Sequence, residues 1–398
     1  MPGISPIMSN PANNLRVLHI ITSLGSGGAE AMLYKLAAQM DRRRLECAVV
    51  VLMDASFYGP KLQDLGIPVW PLNLRQGRAT LGALLKLRSI VRHVRPHVVQ
   101  GWMYHGNIAA WAATILSKAA CPVVWNVRQT LCDLKLEKPL TRFIVKLGAR
   151  LSRFPDSIVY NSHTSADQHE KIGFCRTSRV VIPNGFNTDS FHADPIARQE
   201  LRRQWKIKDE DFLVVNVARY HPVKDHFSLI DAAFIVVREY PTAKFILVGS
   251  GVGNHNEALR ARIAERRLTS VFQLMGEQDN IAAILAACDL FVLSSAAEAF
   301  PNVVGEAMAC ELPVVVTDVG ESRKIVGDLG QVVPPRDSSA LASAIVRMMR
   351  LPSHARSEIG RRARERIRSL YSLEAVTEVY RKLYNDVSSS ATTGKVKN

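Results

Sequence analysis

Two successive runs of strand–helix alternation constrain this chain more than any other feature. Short apolar, β-branched stretches recur at 15–21, 47–52, 97–100, 121–127, 157–161 and 179–182, then after a break at 212–218, 244–248, 271–274, 289–294 and 313–317. Stretches of helical periodicity, such as Ala29–Met40, Leu81–Val94 and Phe227–Glu239, fill the gaps. Parallel strands need a long crossover between them, and a helix is its usual form, so the alternation predicts parallel sheets covered by helices. Two such series in 398 residues predict an α/β protein of two doubly wound domains.

The expected organisation is a domain over 15–190, a polar linker of mixed charge over 191–211 containing Pro195, and a second domain over 212–372. A packed helix follows at 373–387, where Leu373, Val376, Val379, Tyr380 and Leu383 share a face. Residues 1–14 and the Ser/Thr-rich end, 388–398, read as disordered tails. No window approaches the roughly 20 apolar residues of a membrane span, and the first apolar run leads into a glycine-rich turn rather than a cleavage site. The six cysteines, at 47, 121, 132, 175, 288 and 310, form no C-x-x-C pair, which favours free thiols in a reducing cytoplasm.

Charge is unevenly placed. Residues 1–183 carry 23 Lys and Arg against 10 Asp and Glu, whereas the remaining 215 carry 28 against 26. The excess points either to an anionic partner of the first half or to a solvated basic surface. Lys138, Arg142, Lys146 and Arg150 recur at intervals of four, while Phe143, Ile144, Leu147 and Leu151 form the other face. Such a helix either lies on anionic lipid or packs on a core with its basic face in water. Nucleic acid is disfavoured, because the charge is spread over helices with no recognised binding motif. The expected location is the cytoplasm, peripheral to the inner face of the membrane.

Four segments carry candidate chemistry. Leu24-Gly25-Ser26-Gly27-Gly28-Ala29-Glu30 follows the first strand and opens a helix, where free N–H groups and the helix dipole suit a phosphate; a plain tight turn is the alternative. Arg219 and Lys224 stand where the first strand of the second series ends, the edge at which such sheets bind ligands, and together would neutralise a diphosphate. Glu298 lies in the loop after the strand at 289–295, and Glu306 a turn into the next helix; their spacing suits two contacts on one elongated ligand. His105, in Gln100-Gly101-Trp102-Met103-Tyr104-His105-Gly106-Asn107, is the fourth, and Asn126 and Arg128 end the next strand. The single D-x-D, Asp209-x-Asp211, precedes its strand and reads as linker rather than metal ligand.

Glu298-x7-Glu306 with Arg219 and Lys224 upstream resembles the signature of the large retaining GT-B glycosyltransferase family numbered four. Ile182-Pro183-Asn184-Gly185-Phe186 and Pro313-Val314-Val315-Val316-Thr317-Asp318 support it, over most of Val17 to Leu383. The resemblance implies a GT-B fold, two Rossmann-like domains facing a central cleft, with acceptor on the first and nucleotide sugar on the second. It implies that Arg219 and Lys224 hold the diphosphate, Glu306 the ribose and Glu298 the donor sugar. Backbone N–H groups at Asn302 and Val303, with Gly27 and Gly28, complete the phosphate site, Gly276 lies by the base, and His105 faces the sugar. Arg219, Lys224, Glu298 and His105 are the expected catalytic set, and Asn126 and Arg128 are acceptor-side candidates. No cofactor or metal is expected, since the nucleoside-diphosphate sugar is a substrate. The Phe300-Pro301-Asn302-Val303 variant resembles members that build capsular, exopolysaccharide or lipopolysaccharide chains. Ala218 and Ala299 stand where members often have Gly, which predicts altered loop detail. A sugar-nucleotide 2-epimerase on the same plan and a non-catalytic nucleotide-sugar sensor are the alternatives.

Overall fold

The structure, a computed structural model, describes residues 14–41, 44–75, 80–131, 134 and 138–392. Residues 1–13 and 393–398 of the expected disordered tails, and Cys132, fall outside them, whereas residues 388–392 of the expected tail are helical. The chain divides into two compact units. The first holds the residues up to Asn161, 165–182 and those from Val376 onward; the second holds 162–164 and Pro183–Ala375.

In the first unit the elements are β1 (Leu15–Ile21), α1 (Gly28–Gln39), β2 (Leu45–Val51), α2 (Tyr58–Asp64), β3 (Val69–Pro71) and α3 (Leu81–Val94). They continue with β4 (Val98–Trp102), α4 (Met103–Ser117), β5 (Val123–Val127), α5 (Pro139–Leu151), β6 (Ser157–Tyr160), α6 (His163–Lys171) and β7 (Arg179–Val181). The second unit opens with α7 (Pro195–Gln204), β8 (Phe212–Val217), α8 (His226–Glu239), β9 (Ala243–Val248), α9 (Glu257–Glu265), β10 (Phe272–Gly276) and α10 (Ile281–Ala287). It closes with β11 (Leu290–Leu293), α11 (Asn302–Ala309), β12 (Val314–Thr317), α12 (Ser322–Val326), β13 (Gly330–Val333), α13 (Ser338–Arg350) and α14 (Ser353–Tyr371); α15 (Leu373–Thr392) ends the described chain.

Both sheets are parallel throughout, in the orders β3-β2-β1-β4-β5-β6-β7 and β10-β9-β8-β11-β12-β13. Each is doubly wound, with strand order reversing between β1 and β4 and between β8 and β11. The near-continuous apolar strands follow from burial on two faces. In the first sheet Leu18, Ile20, Val99 and Trp125 pack under α3, α4 and α5, while Val17, Ile21, Trp102 and Val124 face α1 and α15. In the second, Val215, Phe291 and Val316 pack against α10, α11 and α14, and Val214, Val292 and Val315 against α8, α9 and α13.

Three boundaries differ from expectation. The first series ends at Ile182, because the following loop is fixed to the second unit: Phe186 N–H donates to Tyr371 O at 2.8 Å and its carbonyl accepts from Leu373 N–H at 3.0 Å. The 191–211 stretch is not a bare linker. Asp194 caps α7, and Arg198 and Arg202 tie that helix to Asp289 at 2.5 and 3.0 Å. Asp211 accepts from the Lys208 N–H at 2.9 Å, a turn within this connection. Finally, α15 runs to Thr392, past the expected end at 387, and packs into the first unit. There Tyr380 accepts from Asn126 Nδ2 at 2.9 Å and Arg128 Nη1 at 2.8 Å, and Tyr384 donates to Gln100 Oε1. Among the described residues no two cysteines form a disulfide; Cys288 and Cys310 are buried and Cys47, Cys121 and Cys175 half-buried.

Candidate functional site

In each doubly wound sheet, ligands bind beyond the carboxyl ends of the strands where the order reverses. In the second unit those ends are β8 and β11, and the expected residues follow them. Arg219 comes two residues after β8 and is exposed; among the described residues its guanidinium makes no ion pair or hydrogen bond. A single 3₁₀ turn at Pro222–Lys224 then carries Lys224 back towards the sheet. Its Nζ meets Glu298 Oε1 at 2.5 Å, with the two side chains only 21% and 13% exposed. Ser295, two residues past β11, donates to the same carboxylate oxygen at 2.7 Å. Two further bonds join the loops, Ser294 Oγ to Lys224 O at 2.9 Å and Ala296 N–H to Val223 O at 2.8 Å.

Close backbone approaches hold these loops in place. Gly249 has φ +145°, and a Cβ there would stand 2.6 Å from the carbonyl carbon of Ala218 and 2.9 Å from Arg219 N. Gly320, at φ +55°, lies against the carbonyls of Glu298 and Ala299 in the same way, a Cβ meeting them at 2.6 and 2.5 Å. Only glycine suits both the conformation and the space. The two alanines that depart from the family pattern thus meet their neighbours through backbone atoms.

Beyond Glu298 the chain enters α11, which has no side-chain cap, so the N–H groups of Asn302 and Val303 open the helix without one. The Asn302 side chain is oriented by Asn184, whose Nδ2 donates to its Oδ1 at 2.6 Å. Glu306 lies half-buried one turn on. Gly276 ends β10, and its carbonyl accepts from Gly249 N–H at 2.8 Å, linking the expected base region to the Arg219 loop. His226 opens α8 with its ring 5.9 Å from Tyr220, and burial pushes its pKa down to about 4. The structure therefore brings Lys224 and Glu298 into contact and places Arg219, Gly276, Asn302, Val303 and Glu306 on the same sheet edge. Sequence reasoning gave no site role to Ser295, Asn184, Gly249 or Gly320. The only trace of Ser295 is a polar pair, Ser294-Ser295, closing an apolar strand.

In the first unit the equivalent ends are β1 and β4. His105 lies in the first turn of α4 with an exposed edge, and desolvation by its surroundings holds its pKa below the ordinary 6.5. Gly27 caps α1, but the Glu30 carboxylate lies against it and accepts from Ser23 Oγ at 3.1 Å. A phosphate approaching Gly27 would meet that negative charge, whereas Gly28 faces open space. The acceptor-side assignment of Asn126 is corrected: it is 0% exposed and committed to Tyr380. Arg128 shares that hydroxyl and keeps some accessible surface. Among the described residues no group of three His, Cys, Asp or Glu is placed to hold a metal ion.

A family model described as Glycosyl transferases group 1 matches residues 197–366, and one described as Glycosyltransferase Family 4 matches 26–190. The N-acetyl-alpha-D-glucosaminyl L-malate synthase of Bacillus anthracis is 27% identical over half of this chain, and the match spans 51% of its own length. The N,N'-diacetylbacillosaminyl-diphospho-undecaprenol alpha-1,3-N-acetylgalactosaminyltransferase of Campylobacter jejuni is 25% identical, covering 69% of this chain and 74% of the relative. Among solved structures, Anabaena Alr3699/HepE in complex with UDP superposes with a TM-score of 0.81 at 23% identity, covering 94% of this chain and all of that one. That likeness establishes the shared GT-B fold.

Proposed function

The chain belongs to the group 1 glycosyl transferases, with a Glycosyltransferase Family 4 region preceding, and on that premise we propose that it transfers a sugar from a nucleoside-diphosphate donor. The unit moved is a hexosyl or N-acetylhexosaminyl group, from UDP or GDP, to a glycan or polyprenyl-diphosphate-linked sugar in cell-surface polysaccharide assembly. The single observation that carries the reading is the unpaired Arg219 beyond β8, on the same edge as the partly buried Lys224–Glu298 pair. UDP in the Anabaena relative supports a uridine donor, and the undecaprenol-linked substrate in the Campylobacter relative's name supports a lipid-linked acceptor.

Arg219 and Lys224 take the diphosphate, whose negative charge grows as the glycosidic bond breaks; preorganised cations there stabilise the leaving group without a metal. Lys224 is the more informative of the two, because it is already bound to Glu298. Its charge is fixed in position, and Glu298, held by Ser295, is aimed where a sugar hydroxyl would accept or donate. Uncapped N–H groups at Asn302 and Val303 add to the phosphate site, Glu306 bonds the ribose, and Gly276 borders the base. His105, which the family resemblance assigns to the donor sugar, lies at the sheet edge of the first unit with its pKa lowered by desolvation. The transition state has oxocarbenium character, and front-face attack, with the leaving phosphate accepting the acceptor's proton, keeps the anomeric configuration. Arg128 is the remaining acceptor-side candidate. The inner face of the cytoplasmic membrane, where lipid-linked acceptors reside, is the proposed location.

The test is a panel of UDP- and GDP-sugars, scored for thermal stabilisation and, with a polyprenyl-linked sugar present, for acceptor-dependent release of the nucleoside diphosphate, since a ligand that binds the folded state raises its melting temperature. One nucleotide sugar should stabilise and turn over, with Arg219→Ala losing both. No response from any donor, or normal turnover by Arg219→Ala, would overturn the assignment. The anomeric signal of the product, read by NMR, decides between retention and inversion.

A further inference from the structure

We propose that the exposed side of α5 docks this protein on anionic phospholipid, its apolar side chains entering the acyl boundary while adjacent cations hold lipid phosphates. The inference does not rest on the transferase reading.

The helix has a core side and a second apolar side that stays exposed among the described residues. Val145 and Ala149 are buried, and Ile144 and Leu151 pack against the core of the first unit. Periodicity alone places Phe143 with them, but the structure turns it outward. Leu140, Phe143 and Phe154 are 51%, 62% and 55% exposed. They follow at helical intervals of three and eleven residues, so Phe154 continues the line of Phe143 just past the helix end. Phe154 is held rather than loose: its N–H donates to Leu151 O at 3.1 Å, and its ring stacks on Trp111 of α4 at 5.5 Å.

The cations lie beside this line. Lys146, Arg150 and Arg153 are exposed and line one open recess with Ala149, Ile172 and Gly173. Among the described residues none of the three has a carboxylate partner, whereas Arg176 and Arg179 nearby are both paired with Glu170. A protein partner would have to supply matching acidic groups to this recess. A polyanion in water would gain nothing from an exposed leucine. An anionic bilayer answers both demands at once, with phosphate at the depth of the cations and hydrocarbon below it. Among the described residues no helix is long and apolar enough to cross the membrane, so the contact is one of surface binding.

The experiment is flotation of the full chain with phosphatidylcholine vesicles, with and without phosphatidylglycerol. The wild type should float only with the anionic vesicles, and salt should release only part of it. Lys146→Glu with Arg150→Glu should lower the apparent affinity by at least ~25-fold, at about fivefold per cation. Leu140→Ser with Phe143→Ser should abolish the salt-resistant fraction. Both variants should keep the wild-type melting temperature and nucleotide-sugar response, which separates failure here from failure of the transferase reading. Should the serine variant melt early, the charge reversal alone decides. Equal flotation with neutral vesicles, no flotation, retention of heparin without vesicle binding, or variants that float as the wild type would each overturn the proposal.

Discussion

At the scale of single residues, the Lys224–Glu298 pair is the most consequential contact. Exposed ion pairs contribute little, but these two side chains are largely shielded, and removing one leaves the other poorly solvated. Lys224→Ala should therefore lower unfolding stability by about 1–3 kcal/mol, and adding Glu298→Ala should lower it by less than the sum of the singles. Urea titration of the four proteins measures the difference. Arg219 has no such internal partner, so Arg219→Ala should leave the urea midpoint unchanged and weaken nucleotide diphosphate binding by about 10–100-fold, read by calorimetry. Buried histidines make a separate prediction. Burial lowers the pKa of His19 to about 3 and of His169 and His226 to about 4, against 6.5 in an unfolded chain. The unfolded state thus takes up protons first as pH falls. Their contribution to stability is complete above roughly pH 6.5 and is lost progressively towards pH 4. The melting temperature should drop between about pH 7 and pH 5, and a flat profile there would contradict the burial argument.

At the scale of elements, the loops that carry the site are placed by glycines lying behind them. Gly249→Ala must displace the Ala218–Arg219 backbone and adopt an unfavourable φ, so it should weaken nucleotide binding as much as Arg219→Ala, while a control at the open Gly82 should not. Equilibrium binding to UDP separates the two. None of this was legible in the sequence, because Gly249 lies 30 residues from the loop it supports and no local pattern marks such an approach. What was legible follows from periodicity. The eleven strands read from apolar runs all form. The two that were missed are β3, three residues ending in proline, and β13, which opens with glycine; neither has the composition of a buried strand. The outward turn of Phe143 was illegible for a different reason: the pattern shows that a helix has apolar residues on more than one side, not which side meets the core.

At the scale of the whole molecule, the chain is not a simple succession of two domains. Its end returns to the first unit, where α15 covers the face of the sheet that carries His19, Gln100 and Asn126. Removing residues after Ala375 should expose that face and destabilise the first unit selectively, seen as protease cleavage confined to residues before Pro183. Tyr380→Phe, which removes the acceptor shared by Asn126 and Arg128, should give a milder form of the same defect. The boundary at 182 escaped sequence reasoning because the polar stretch after it looks like a linker until Arg198 and Arg202 are seen bonded to Asp289. The return of α15 also sets an order of assembly. The first unit leaves the ribosome first, yet the residues that complete it emerge only after the intervening 183–375 segment. At ~5–20 residues per second that delay is roughly 10–40 s. For that interval the nascent amino-terminal sheet presents an uncovered polar and aromatic face, so its maturation waits on the synthesis of α15.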